Sequence, residues 1–139
     1  MPSILVLDHD LSRADALAAA LTGPDRILRV CRLPHQGLRQ LRLIRWDLFW
    51  LVLPVVGMDP GPFFRRVRRL RPTLRVVAVL EPGLEPQLRH QLKADGAAVM
   101  LTRPVPAPVA CALAAALLRR PPLAPPEEPG PDFTPPASV

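Results

Sequence analysis

Side chains with chemistry to offer are few and fall in three places. Asp8-His9-Asp10 ends an apolar run near the amino terminus, and Asp59 lies in a loop after a longer apolar run. Arg65, Arg66, Arg68, Arg69 and Arg71 crowd one short stretch. An imidazole beside two carboxylates suits a transition metal better than Mg²⁺. Three adjacent residues on a strand end do not converge on one ion, however, and no fourth ligand is evident, so no metal or other cofactor is expected. The arginines have the charge density to hold phosphates, but they lack interleaved aromatics, a Gly-rich loop or a recognition-helix motif. They are read as a solvated helix face, with nucleic acid or another polyanion as the alternative ligand and an acidic protein as a third reading. Cys31 and Cys111 match no metal or redox spacing, and each is expected to be a small core residue. His35 and His90 have no evident partners and are expected at the surface. No nucleophile–base pair appears, so the chain is not expected to be an enzyme.

The elements that position these groups are organised around Trp46 to Asp59, WDLFWLVLPVVGMD. Leu48 to Leu53 is a continuous apolar run closed by Pro54, the pattern of a strand buried on both faces. Strands covered on both faces belong to parallel sheets flanked by helices. The following loop, Val55 to Gly61, lies at the carboxyl end of the strand, where open α/β sheets keep their chemistry. Here it carries no nucleophile, no base and no ligand but Asp59.

Four further strands fit Ile4–Leu7, Ile27–Cys31, Val76–Leu80 and Ala97–Thr102, the second at an edge because Arg29 and Arg32 alternate with apolar residues. Between them lie helical patterns. The first is capped by Ser12, with Asp15 three residues on, and the second opens at Pro34. The third runs from Pro62 to Arg71 with Phe63, Phe64, Val67 and Leu70 on one stripe. A fourth covers Pro86–Ala94 and a fifth Val109–Arg120. Five strands alternating with five helices predict a doubly wound parallel sheet. Residues 1–120 form one domain. From Pro121, prolines crowd a segment with little to bury, and 121–139 is expected to be a disordered tail of polyproline II character.

The 139 residues carry a formal charge of +6, almost wholly from arginine. With arginine, proline, alanine and leucine all abundant, this looks like the coding bias of a GC-rich genome, which weakens the case for a nucleic-acid partner. No apolar run reaches the roughly 20 residues that span a bilayer. The amino terminus has no basic region ahead of its apolar run, so no signal peptide, a cytoplasmic location and no membrane partner are expected.

These residues together resemble a response-regulator receiver domain, the phosphoacceptor module of two-component signalling. The likeness covers residues 3 to 120 and rests on ILVLDHD, WDLFWLVLPVVGMDPG and GAAVMLTRP. The family's third segment reads like PDLVLLDLxMPGMDG, which Asp47, Leu48, Leu51, Leu53, Gly57, Met58 and Asp59 match in register. It implies a flavodoxin-like sheet of receiver type. Taken residue by residue, the resemblance places the phosphoacceptor aspartate on Val52 and the acidic Mg²⁺-binding pair on Asp8 and His9, with Asp10 beside them. The switch hydroxyl falls on Leu80, the switch aromatic on Met100 and the lysine on Arg103, while the proline after it is kept as Pro104.

Phosphoryl transfer to a carboxylate needs a carboxylate, and Val52 offers methyl groups. Mg²⁺ wants oxygen ligands in an octahedron, and His9 substitutes a nitrogen that it disfavours. Arg103 is longer and forked, so it is no equivalent of the lysine. The resemblance thus implies a degenerate pseudo-receiver, in which Asp8 is a relic carboxylate expected to pair with Arg103. The function expected is that of a stand-alone, phosphorylation-independent adaptor that presents its surface to a protein partner in bacterial signalling. The last helix is apolar around its circumference, and with the fourth helix and fifth strand it offers the face through which receivers pair, so a homodimer is a further expectation.

Overall fold

The computed structural model describes residues 1–83 and 86–120. The proline-rich segment read as a disordered tail, 121–139, lies outside the described residues. The chain alternates without exception: β1 (Ser3–Leu7), α1 (Leu11–Leu21), β2 (Ile27–Cys31), α2 (Pro34–Leu43), β3 (Leu48–Val52), α3 (Pro60–Leu70), β4 (Arg75–Leu80), α4 (Pro86–Ala94), β5 (Val99–Thr102) and α5 (Ala107–Arg119). All pairings are parallel, in the order β2-β1-β3-β4-β5. This is the flavodoxin-like doubly wound order, whose crevice opens where neighbouring connections leave in opposite directions, beyond the carboxyl ends of β1 and β3.

β1, β3 and β4 are buried along their whole length, because helices cover both faces. Their side chains still alternate. Leu5, Leu7, Phe49, Leu51, Val76, Ala78 and Leu80 pack toward α2, α3 and α4, where Leu38, Leu41, Phe63, Phe64, Val67 and Leu92 meet them. Ile4, Val6, Leu48, Trp50, Val52, Val77 and Val79 pack toward α1 and α5, against Leu21, Ala110, Ala114 and Leu117. Burying one such side chain stabilises the fold by about 1.5–3 kcal/mol, so the two layers carry most of the stability. β2 lies at the edge, as its alternating arginines predict, with Ile27 and Arg29 exposed and Cys31 buried.

Local details depart from the sequence reading at two points. α1 is capped by Asp10, not Ser12: the Asp10 carboxylate accepts the Arg13 N–H at 2.9 Å. A carboxylate at the N-cap satisfies an orphan amide that nothing later in the turn can reach. Ser12 and Asp15 face solvent. Cys31 is buried, but Cys111 is exposed on the outer side of α5, because Ala110, Ala114 and Leu117 are the residues that face the sheet. The start of β1 is pinned by Asp47, whose carboxylate accepts the Ser3 N–H at 2.9 Å.

Candidate functional site

At the carboxyl end of the sheet, β1 delivers Asp8, which is fully buried. A buried carboxylate needs partners for its oxygens, and α1 supplies them. Because the helix begins at Leu11, Arg13 lies in its first turn, and its side chain folds back over the strand end. Arg13 Nε donates to Asp8 Oδ2 at 2.7 Å and Nη2 to Oδ1 at 2.7 Å, a bidentate fork. The Asp10 N–H donates to Asp8 Oδ1 at 3.0 Å. These are short, charge-assisted bonds of the strong kind. The fork to Asp8 raises the Arg13 pKa above that of an ordinary guanidinium. The Arg13 N–H holds the Asp10 carboxyl below its usual value.

The expected Asp8–Arg103 pair is therefore absent. Arg103 instead stands 3.5 Å from Glu81 across the ends of β4 and β5. Arg13 is nearer along the chain and reaches Asp8 from the adjoining helical turn, so it takes both carboxylate oxygens first. Arg103 Nε is buried and has no hydrogen-bond partner among the described residues, and the same holds for His9 Nδ1. The Arg103–Pro104 peptide is cis, as is Leu53–Pro54.

Val52 ends β3 with 2% of its surface exposed and borders a cavity walled on its other side by α1 and α5. That cavity, about 470 Å³, gathers Val52, Arg103 and Pro104 from the sequence-derived set. It also gathers Arg13, Trp50 and Glu81, which that set lacks. Leu80 and Met100 are not in it: both belong to the opposite layer, packed with the α3 and α4 side chains. Asp59 is exposed at the N-cap position of α3 and makes no side-chain capping bond. Arg13 was findable: placing the cap at Asp10 makes it an inward-reaching first-turn residue, five positions after the buried aspartate.

The residues do not fit Mg²⁺. Both Asp8 oxygens are taken by a guanidinium, the β3 position offers methyl groups, and the neighbouring side chain is an imidazole. Among the described residues, no three His, Cys, Asp or Glu side chains group to hold a metal ion. A fixed cation, Arg13, stands against the carboxylate that would otherwise face a divalent one.

The arginine face of α3 is narrower than the sequence suggests. Arg68 is partly buried; its guanidinium donates to the carbonyls of Leu74 and Gly96 and lies 5.4 Å from the Phe64 ring centre. Burial lowers its pKa. Gly96 has φ +100°, and a Cβ there would come within 3.2 Å of Arg68 Nε, so the close approach needs glycine. Arg65 stands 3.8 Å from Asp95, and Arg71 donates to the Arg42 carbonyl at 3.3 Å. Arg66 and Arg69 remain exposed with no side-chain bond among the described residues. His35 and His90 are at the surface.

No family model and no curated protein matches the sequence. Solved structures do match in fold. A CheY-like response regulator receiver domain protein from Methanospirillum hungatei aligns with TM-score 0.78 at 16% identity, over 85% of this chain and 94% of that one. A two-component response regulator from Clostridium difficile aligns with TM-score 0.78 at 19% identity, over 86% and 98%. The receiver domain of a DNA-binding response regulator from Colwellia psychrerythraea aligns with TM-score 0.77 at 22% identity, over 86% and 100%. The chain has the receiver fold. No helix among the described residues is long and apolar enough to cross a membrane.

Proposed function

We propose that this chain is a phosphorylation-independent receiver-type module of two-component signalling, acting as an adaptor that presents its surface to a protein partner. One observation carries the reading. The position at the end of β3 that would accept a phosphoryl group is Val52, and the remaining carboxylate, Asp8, is locked to Arg13 at 2.7 Å through both oxygens. With no acceptor and no oxygen cage, the pocket has lost the two things that phosphoryl transfer needs. In this reading the chain turns over no substrate, and its output is a shape that does not depend on a phosphate.

The same reading includes a homodimer through α4, β5 and α5, favoured by Val109 and Cys111 exposed on the outer side of α5. Polyanion binding through α3 is the lesser alternative, since Arg68 and Arg65 already have partners within the fold. The test is an affinity capture from native lysate with and without nuclease, read by mass spectrometry and repeated with charge-reversal variants of Arg66 and Arg69. A protein partner retained after nuclease supports the adaptor. Captured material that vanishes with nuclease overturns it and makes α3 the functional surface.

A further inference from the structure

The cavity at the carboxyl end of the sheet is built for something other than a phosphate. Its size, about 470 Å³, falls among small-molecule sites, which pair apolar walls with a few placed polar groups. Its deepest residues, Trp50, Val52 and Val79, are at most 3% exposed, and Leu17 and Ala20 of α1 and Ala110 of α5 are among the other apolar residues that line it. Three charged groups, Arg13, Arg103 and Glu81, also line it. Arg13 is committed to Asp8. Arg103 is not: its Nε is buried without an acceptor among the described residues, and its Nη2 reaches only to 3.5 Å from Glu81.

We infer that this cavity binds an amphipathic monocarboxylate, with an apolar, preferably aromatic, body against Trp50 and Val52 and its carboxylate on Arg103. A buried guanidinium donor requires an acceptor, and a carboxylate meets a guanidinium edge with two parallel hydrogen bonds. The indole of Trp50 favours an offset-stacked or edge-on ring. The charge balance excludes a dianion such as phosphate. Arg13 is matched by Asp8 and Asp10, so the one cation left to meet a ligand, once Glu81 turns away, is Arg103 with a single positive charge. A single carboxylate is accommodated by displacing Glu81, whose side chain is 52% exposed and free to turn to water.

The test is a calorimetric titration of the full chain with naphthoate, with backbone-amide NMR to locate binding, alongside naphthylmethanol and inorganic phosphate. Naphthoate is expected to saturate one site and shift Leu17, Val52 and Val79, with naphthylmethanol about tenfold weaker, the scale of one charged hydrogen bond. Arg103→Gln is expected to weaken naphthoate about tenfold and Glu81→Gln to tighten it, since the latter removes the competing carboxylate. Phosphate is expected not to compete. Absence of saturation, equal binding of the alcohol, displacement by phosphate, or shifts confined to another face overturns the inference. Should Arg103→Gln fail to fold, Glu81→Gln and the alcohol comparison still decide it.

Discussion

Arg13→Ala removes the cation from the buried carboxylate and leaves the rest of α1 intact. Asp8 is 0% exposed and would keep only the Asp10 N–H at 3.0 Å. Breaking a fully buried ion pair by removing one partner costs about 3–5 kcal/mol. The Arg13 side chain is 28% exposed, so water enters once it is gone, and the expected loss falls to about 2–3 kcal/mol. For a domain of this size that lowers Tm by roughly 8–15 °C. The assay is urea unfolding followed by far-UV circular dichroism, with the denaturant slope held constant as the check that only stability has changed. Adding Asp8→Asn to the same chain should recover about 1 kcal/mol or more, because an amide carries no charge to strand. A loss below about 0.5 kcal/mol, as ordinary surface substitutions give, would refute the claim that Arg13 neutralises the pocket.

Arg68→Met should cost about 1–2 kcal/mol, as it strands the carbonyls of Leu74 and Gly96, whereas Arg66→Ala and Arg69→Ala should each stay within about 0.5 kcal/mol in the same unfolding assay. Asp10 has a depressed folded-state pKa. Its contribution is therefore fully present above the unfolded aspartate value, about pH 4, and is lost as pH falls through the lower folded value. Asp10→Asn, which keeps the cap, should flatten that acid limb in a Tm-against-pH series. Iodoacetamide under native conditions should label Cys111 and spare Cys31, whose thiol is buried and pushed up by desolvation; peptide mapping reads this, and urea should open both. Val52→Asp should remain unphosphorylated by acetyl phosphate with Mg²⁺, because Asp8 stays locked to Arg13 and Leu80 supplies no hydroxyl; intact mass is the readout.

The fold was legible because its signals are local and repeated. Continuous apolar runs such as Leu48–Leu53 and the stripe of Phe63, Phe64, Val67 and Leu70 each state a period, and their alternation states the topology. The motif register also sets Val52 at the end of β3, where the resemblance puts the phosphoacceptor, and does so without reference to packing. What the sequence did not disclose was which cation meets Asp8. Arg13 and Arg103 both carry the needed charge, and the choice turns on a helix starting at Leu11, one residue after its true cap. The resemblance points to Arg103 because it stands at the lysine position, whereas the cap at Asp10 sets Arg13 in the first turn, against the strand end. The arginine stretch misled for a related reason. Charge patterning cannot reveal that Arg68 bends back to carbonyls at Leu74 and Gly96, since Gly96 lies far along the chain.

The central claim is that this receiver fold carries no phosphate, and the most direct test is the intact mass of the native chain after incubation with acetyl phosphate and Mg²⁺. The account predicts an unchanged mass. A stable added phosphoryl group, at any carboxylate of the pocket, would contradict it.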